Sequence, residues 1–115
     1  MADSRLAKLR TIALALPETH EELTWEVHPT FRVRKKIFVI VAEDHSTINV
    51  KADPEERPAL LANTERFYLP PYVGSKGWIG MHLTAGVDWK EVAELVTTSY
   101  CMIAPKTLAR LVVAP

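Results

Sequence analysis

The chain is poor in the residues that would force a special chemistry on it. It has one cysteine in 115 residues, so no intramolecular disulfide can form, no clustered Cys/His zinc site is spelled out, and a reducing cytoplasm is the expected setting. It has no net charge, 14 Lys and Arg against 14 Asp and Glu, which removes the global attraction most nucleic-acid binders use and leaves only local patches. No apolar run approaches the ~18 residues of a membrane span, and Asp3, Arg5, Lys8 and Arg10 charge the start of the chain, so neither export nor membrane association is expected. Its four glycines form no Walker loop, because no Gly-Lys-Ser/Thr follows the required spacing. Repeats, low-complexity segments and linkers are also missing. What remains is a 115-residue, 48% hydrophobic chain of the size of one domain, spanning 1–115.

The periodicity places the elements. Leu6, Leu9, Ile12, Ala13 and Leu16 recur at helical spacing after Ser4 as N-cap, and Pro17 closes that helix. Leu23, Trp25 and Val27 then alternate with Thr24, Glu26 and His28, and Phe31 and Val33 alternate with Thr30, Arg32 and Arg34. The spacing predicts strands with Leu23, Trp25 and Val27 inward, and His28-Pro29 as a turn, bulge or edge. Lys36 to Ala42 reads as a central strand and Thr47 to Lys51 as the next. Asp53-Pro54-Glu55-Glu56 starts a helix that ends near Asn63. Pro70 to Gly77 is a loop, and Trp78 to Thr84 resumes strand alternation. Asp88 caps a helix to about Met102 with Val92, Val96, Tyr100 and Ile103 inward, and Pro105 opens a short last helix with Leu108 and Leu111. Helix, strands, helix, one or two strands and then helices imply an α+β two-layer sandwich, a mostly antiparallel sheet with helices on one face.

Four blocks, HPTFRVRKKIF (28–38), KADPEER (51–57), PPYVGSKGWIG (70–80) and DWKEVAELVTTSY (88–100), resemble in order and spacing the MmcQ/YjbR family of small bacterial domains. The resemblance implies a compact α+β fold, grouped with CyaY-like or secretion-chaperone-like domains and described as a double wing of hairpins. It implies a DNA-binding label, with no established enzymatic activity and no cofactor. The turn before Lys36-Ile37-Phe38, often glycine-containing in relatives, is here Arg34-Lys35, which makes this hairpin more basic.

The candidate nucleic-acid contacts are the hairpin Arg32, Arg34, Lys35 and Lys36, joined by Lys51, Lys76 and Trp78. Arg32 and Arg34 share a strand face, so about four phosphates met there would give a log–log salt slope of about −3.6. Against that stands a solvated hairpin whose charges only discourage aggregation. The outward sheet face should carry Glu26, His28, Arg32, Arg34, Asn49, Lys51, Trp78 and His82, a platform where an aromatic could stack on a base; the plain alternative packs Trp78 under the 70–72 loop. A groove of His28, Tyr72, His82, Tyr100 and Lys106 is the further candidate. Nucleophile and metal chemistry are thin: Cys101 lies beside an apolar stripe without a base, and no local His spacing typical of zinc is present. Glu18, Glu21 and Glu22 with His20 read as a solvated acidic rim. The expectation is a non-enzymatic binding domain with DNA as partner, with no metal or cofactor. The rivals are a protein or peptide interaction module using exposed strand edges, and a small-molecule site built on His28, His82, Lys76 and Trp78.

Overall fold

The computed structural model describes residues 4–112. Helix α1 (Arg5–Ala13) buries Leu9 and Ala13. Ser4 precedes it in helical conformation without a side-chain cap bond, so the expected serine cap is not made. Six strands follow, interrupted by helices: β1 (Thr19–Thr24), β2 (His28–Val33), β3 (Lys36–Val41), β4 (Thr47–Lys51), α2 (Arg57–Ala62), β5 (Phe67–Tyr68), β6 (Trp78–His82), α3 (Trp89–Ile103) and α4 (Lys106–Ala109). The strands form one sheet in the order β1-β2-β3-β4-β6-β5, antiparallel at every pairing. Helix α3 lies across β3 and β4, with α1 and α4 packed on it. This is the expected α+β sandwich. No helix among the described residues is long and apolar enough to cross a membrane.

Alternation sorts the sheet into two faces. Phe31, Val39, Val50 and Ile79 face the helices in one register row, and Val41, Ile48, Met81 and Phe67 in the next; all eight are buried. One departure from regular pairing sets the core. Phe31 opposes Val39 while Arg32 opposes Ile37, so Phe38 is the extra residue of a bulge. It points inward and meets Tyr100 edge to face, ring centroids 5.4 Å apart. Beyond Val39↔Val50 the β3–β4 ladder stops, and the buried Ser99 hydroxyl of α3 replaces it. Ser99 Oγ donates to the Phe38 carbonyl at 2.7 Å and accepts from the Lys51 N–H at 2.9 Å. One side chain thus satisfies both strands where they diverge.

Four expectations change. Trp25 and Val27 are not inward strand residues: β1 ends at Thr24, and residues 25–27 form the turn to His28, with Trp25 exposed. Leu23 keeps its strand place opposite Pro29 but is exposed, since α1 meets the outermost strand nearer its start, where Arg10 holds Glu21. Asp53 caps only a turn, its carboxylate accepting from the Glu55 N–H; the regular helix starts at Arg57. The last helix ends at Ala109 with Leu108 buried, and Leu111 lies beyond it, exposed.

Replacing Ser99 with alanine leaves the Phe38 carbonyl and Lys51 amide unpaired in the interior. The Ser99→Ala variant is expected to lose about 1–3 kcal/mol in urea unfolding; a loss of only a few tenths would contradict the bridging role.

Candidate functional site

The sheet face turned away from the helices carries the chemistry. One register row crosses five strands as Thr30, Ile40, Asn49, Gly80 and Tyr68. Lys51 pairs with Trp78 in the row toward one end, and Thr47 with His82 in the row toward the other. A Cβ on Gly80 would overlap the Tyr68 ring, so glycine there lets Tyr68 lie flat over the sheet, where its hydroxyl donates to Asn49 Oδ1 at 3.0 Å and its ring leans on His82. The outward side of His28, Asn49, Lys51, Trp78 and His82 is as expected from alternation.

The basic hairpin is different in kind from its sequence reading. Arg34 donates to both carboxylate oxygens of Glu18, at 3.1 and 3.3 Å. Arg32 lies 3.5 Å from Glu22 and donates to Thr24 Oγ1 at 2.9 Å. Thr24 in turn meets the fully buried Thr30 hydroxyl, which donates to the Glu22 carbonyl. Arg10 takes Glu21 in the same way on the outer strand. The residues read as an acidic rim are therefore the counter-ions of the arginines. The Arg34 guanidinium holds the Glu18 carboxyl below the usual carboxylate range, and Glu18 raises Arg34. The His20 ring, then Arg32, lowers Glu22. Arg34 sits at φ 55, where glycine would be freer, and its N–H bonds the Glu18 carbonyl.

Lys35 and Lys36 remain exposed at the tip, and none of the ion pairs among the described residues involves them, Lys51 or Lys76. Lys51 and Lys76 share a hollow of about 320 Å³ with Arg57, Ser75 and Gly77. Arg57 fixes its wall by donating to the Gly74 carbonyl at 2.5 Å and the Trp78 carbonyl at 3.4 Å. Trp78 is half-buried beside Lys51 rather than freely presented.

The five groove candidates separate. His28 and Tyr72 come together in a cleft of about 390 Å³, with Trp25, Ile40, Asn49, Pro71 and Val73. His82 lines another hollow with Arg66, Asp88 and Glu91, where Arg66 and Glu91 are paired. It stands three strand spacings from His28, about 14 Å, so the two cannot share a metal. Tyr100 is buried in the core, its hydroxyl bonded to the Pro17 carbonyl, and Lys106 lies on α4, packed on α3. Burial raises the Tyr100 and Cys101 pKa values, which leaves Cys101 protonated and a poor nucleophile at neutral pH. No group of three His, Cys, Asp or Glu suited to a metal occurs among the described residues. Trp25 is the cleft residue that sequence reading missed, because nothing at 25–27 marks a turn by composition.

Glu18 and Glu22 have folded pKa values below their unfolded ones. Their contribution to stability is therefore present above the unfolded value and lost as pH falls through the folded one. Between about pH 5 and about pH 3, the wild-type urea midpoint is expected to fall more than that of an E18Q/E22Q variant; equal falls would contradict the pairing.

A family model described as YjbR matches residues 14–102. The crystal structure of the Deinococcus radiodurans protein DR2400, with a domain described as DUF419, superposes with a TM-score of 0.78 at 21% identity, covering 89% of this chain and 80% of that one. At that identity the likeness speaks for the fold. No curated protein matches the sequence.

Proposed function

The chain belongs to the YjbR family, and from that premise we propose that it is a non-enzymatic binding domain that engages DNA weakly through the outer face of its sheet. The observation that carries the reading is the Lys51–Trp78 pair with Lys76 beside it, cations without carboxylate partners next to an aromatic. Arg32 and Arg34 are neutralised by Glu22 and Glu18, so the hairpin lends little to a phosphate backbone beyond Lys35 and Lys36. Weak binding follows from few free charges. It also favours the single strand, where stacking on aromatic side chains supplements phosphate contacts at about 1–3 kcal/mol per base. Duplex DNA offers no such faces, and sequence-independent binding to it would rest on charge.

Two phosphates met by Lys51 and Lys76 give a log–log salt slope of about −1.4 for a single strand. Fluorescence anisotropy with a labelled single strand at low salt is expected to show binding with that slope. Lys51→Gln and Lys76→Gln each make it shallower by about 0.7. A chain that fails to bind at about 100 μM in low salt, far tighter non-specific binding being usual for nucleic-acid proteins, would end the proposal.

Freeing the arginines gives the converse result. Glu18→Gln and Glu22→Gln remove the counter-ions of Arg34 and Arg32, so the double variant is expected to bind any polyanion more tightly, with a slope steeper by about 1.4. Unchanged affinity would show that those arginines are not held back by their carboxylates.

A further inference from the structure

Two aromatic side chains flank the cleft over Ile40, and both stand on backbone that aromatics seldom adopt. Trp25 (φ 51) and Glu26 (φ 69) are consecutive left-handed residues, the pattern of a type I′ hairpin turn, where Asn-Gly is the favoured pair. Tyr72 (φ 66) is the centre of a γ-turn closed by the Val73 N–H on the Pro71 carbonyl at 2.7 Å, the rarer and strained form of that turn. Neither residue gains burial in return, since Trp25 is 65% and Tyr72 93% exposed. Strain held without packing is a mark of function.

The floor is apolar in the middle and polar at its ends. The His28 ring meets Trp25 edge-on, centroids 5.9 Å apart, and its Nδ1 lies 3.1 Å from the Val41 carbonyl. A carbonyl only accepts, so Nδ1 carries the proton, and in that neutral tautomer Nε2 is an acceptor. Asn49 has its Oδ1 occupied by the Tyr68 hydroxyl, which leaves its Nδ2 amide as a donor. A volume of about 390 Å³ lies at the small end of ligand sites, ~300–1,000 Å³. The ligand that matches is flat, apolar on its faces and polar along its edges. An aliphatic or prolyl group has no edge to offer the His28 acceptor and Asn49 donor.

We propose that the cleft between Trp25 and Tyr72 binds a nucleobase ring, stacked against these aromatics with its polar edges toward His28 and Asn49. For its ligand class the inference rests on the nucleic-acid reading above, and it names the part of the strand that is read. Asn49 and Lys51 are two residues apart on one strand face, about 7 Å, so a strand whose base enters the cleft runs its phosphates toward Lys51 and Lys76. The base comes either from such a strand or from a free nucleoside.

The test is two-dimensional NMR of the full chain titrated with adenosine, with the single strand (dA)10, with a blunt DNA duplex, and with N-acetyl-tryptophanamide as a non-nucleobase aromatic. Adenosine is expected to shift the Trp25 indole N–H and the Tyr72 amide; (dA)10 shifts these together with Lys51 and Lys76, and the duplex leaves Trp25 unmoved. Trp25→Asn and Tyr72→Asn suit left-handed backbone and so keep the fold, which thermal melting verifies; each is expected to weaken (dA)10 about tenfold. If (dA)10 moves Lys51 and Lys76 but not Trp25 or Tyr72, and the Asn variants bind like wild type, the cleft proposal falls while the nucleic-acid reading stands. If adenosine moves Trp25 and no oligonucleotide binds, the reading falls and the cleft is a site for free nucleosides. A response to N-acetyl-tryptophanamide without one to adenosine or (dA)10 overturns the nucleobase assignment.

Discussion

The hydroxyl of Ser99 is the point at which the two layers are tied together. It is buried beneath the sheet, donates to Phe38 on β3 and accepts from Lys51 on β4, at the place where the bulge at Phe38 shifts β3 against β2 and the β3–β4 ladder ends. A buried backbone carbonyl and amide left without partners would cost more than most single packing contacts. Ser99 therefore ties α3 to both strands at the point where the β3–β4 ladder ends. Phe38, displaced inward by the same bulge, joins Tyr100 in the core. Lys51 faces out beside Trp78 by the alternation of β4, and the bond to its amide ties that end of the strand to α3.

The outer surface obeys a second constraint, that of an electrically balanced chain folding on itself. The arginines of β2 and its turn find carboxylates on β1 and just before it, and Arg10 does likewise from α1. Exposed pairs of this kind contribute little to stability. Their consequence is functional, since they withdraw the arginines from any polyanion and leave Lys35, Lys36, Lys51 and Lys76, toward the same end of the strands, without carboxylate partners. Between those lysines and the β1–β2 turn lies the aromatic-flanked cleft. Charge at one end and flat apolar surface at the other is an arrangement suited to an unpaired strand more than to a duplex.

Much of this was legible in the chain. The α+β class, the strands at Phe31–Val33, Lys36–Val41, Thr47–Lys51 and Trp78–His82, the helix capped by Asp88 through its carboxylate on the Lys90 N–H, and the outward side of Asn49, Lys51, Trp78 and His82 all follow from period and capping, whereas the two-residue strand Phe67–Tyr68 does not. Two further things were not legible. The turn at 25–27 has no Gly, Asn or Pro to announce it, so apolar alternation ran through it and sent Trp25 inward; only the backbone shows that a tryptophan occupies a glycine-like position. Ion pairing was also invisible, because Glu18 and Arg34 lie 16 residues apart and Glu22 and Arg32 ten apart by number, and only the β1–β2 register brings Glu18 to Arg34 and Glu22 diagonally to Arg32, which opposes His20. An acidic rim and a basic hairpin were read as two features, and the fold makes them one.

The central claim is that the hairpin arginines are spoken for and that Lys51, two strands over on the same face, and Lys76 beside it make the contact. The side-chain Nε–H signal of Arg34 in NMR tests it most directly, observed while a single-stranded oligonucleotide is added at low salt. The account predicts that this signal holds its position while the Lys51 and Lys76 amides shift. Movement of Arg34 Nε–H with the lysine amides unchanged would contradict it.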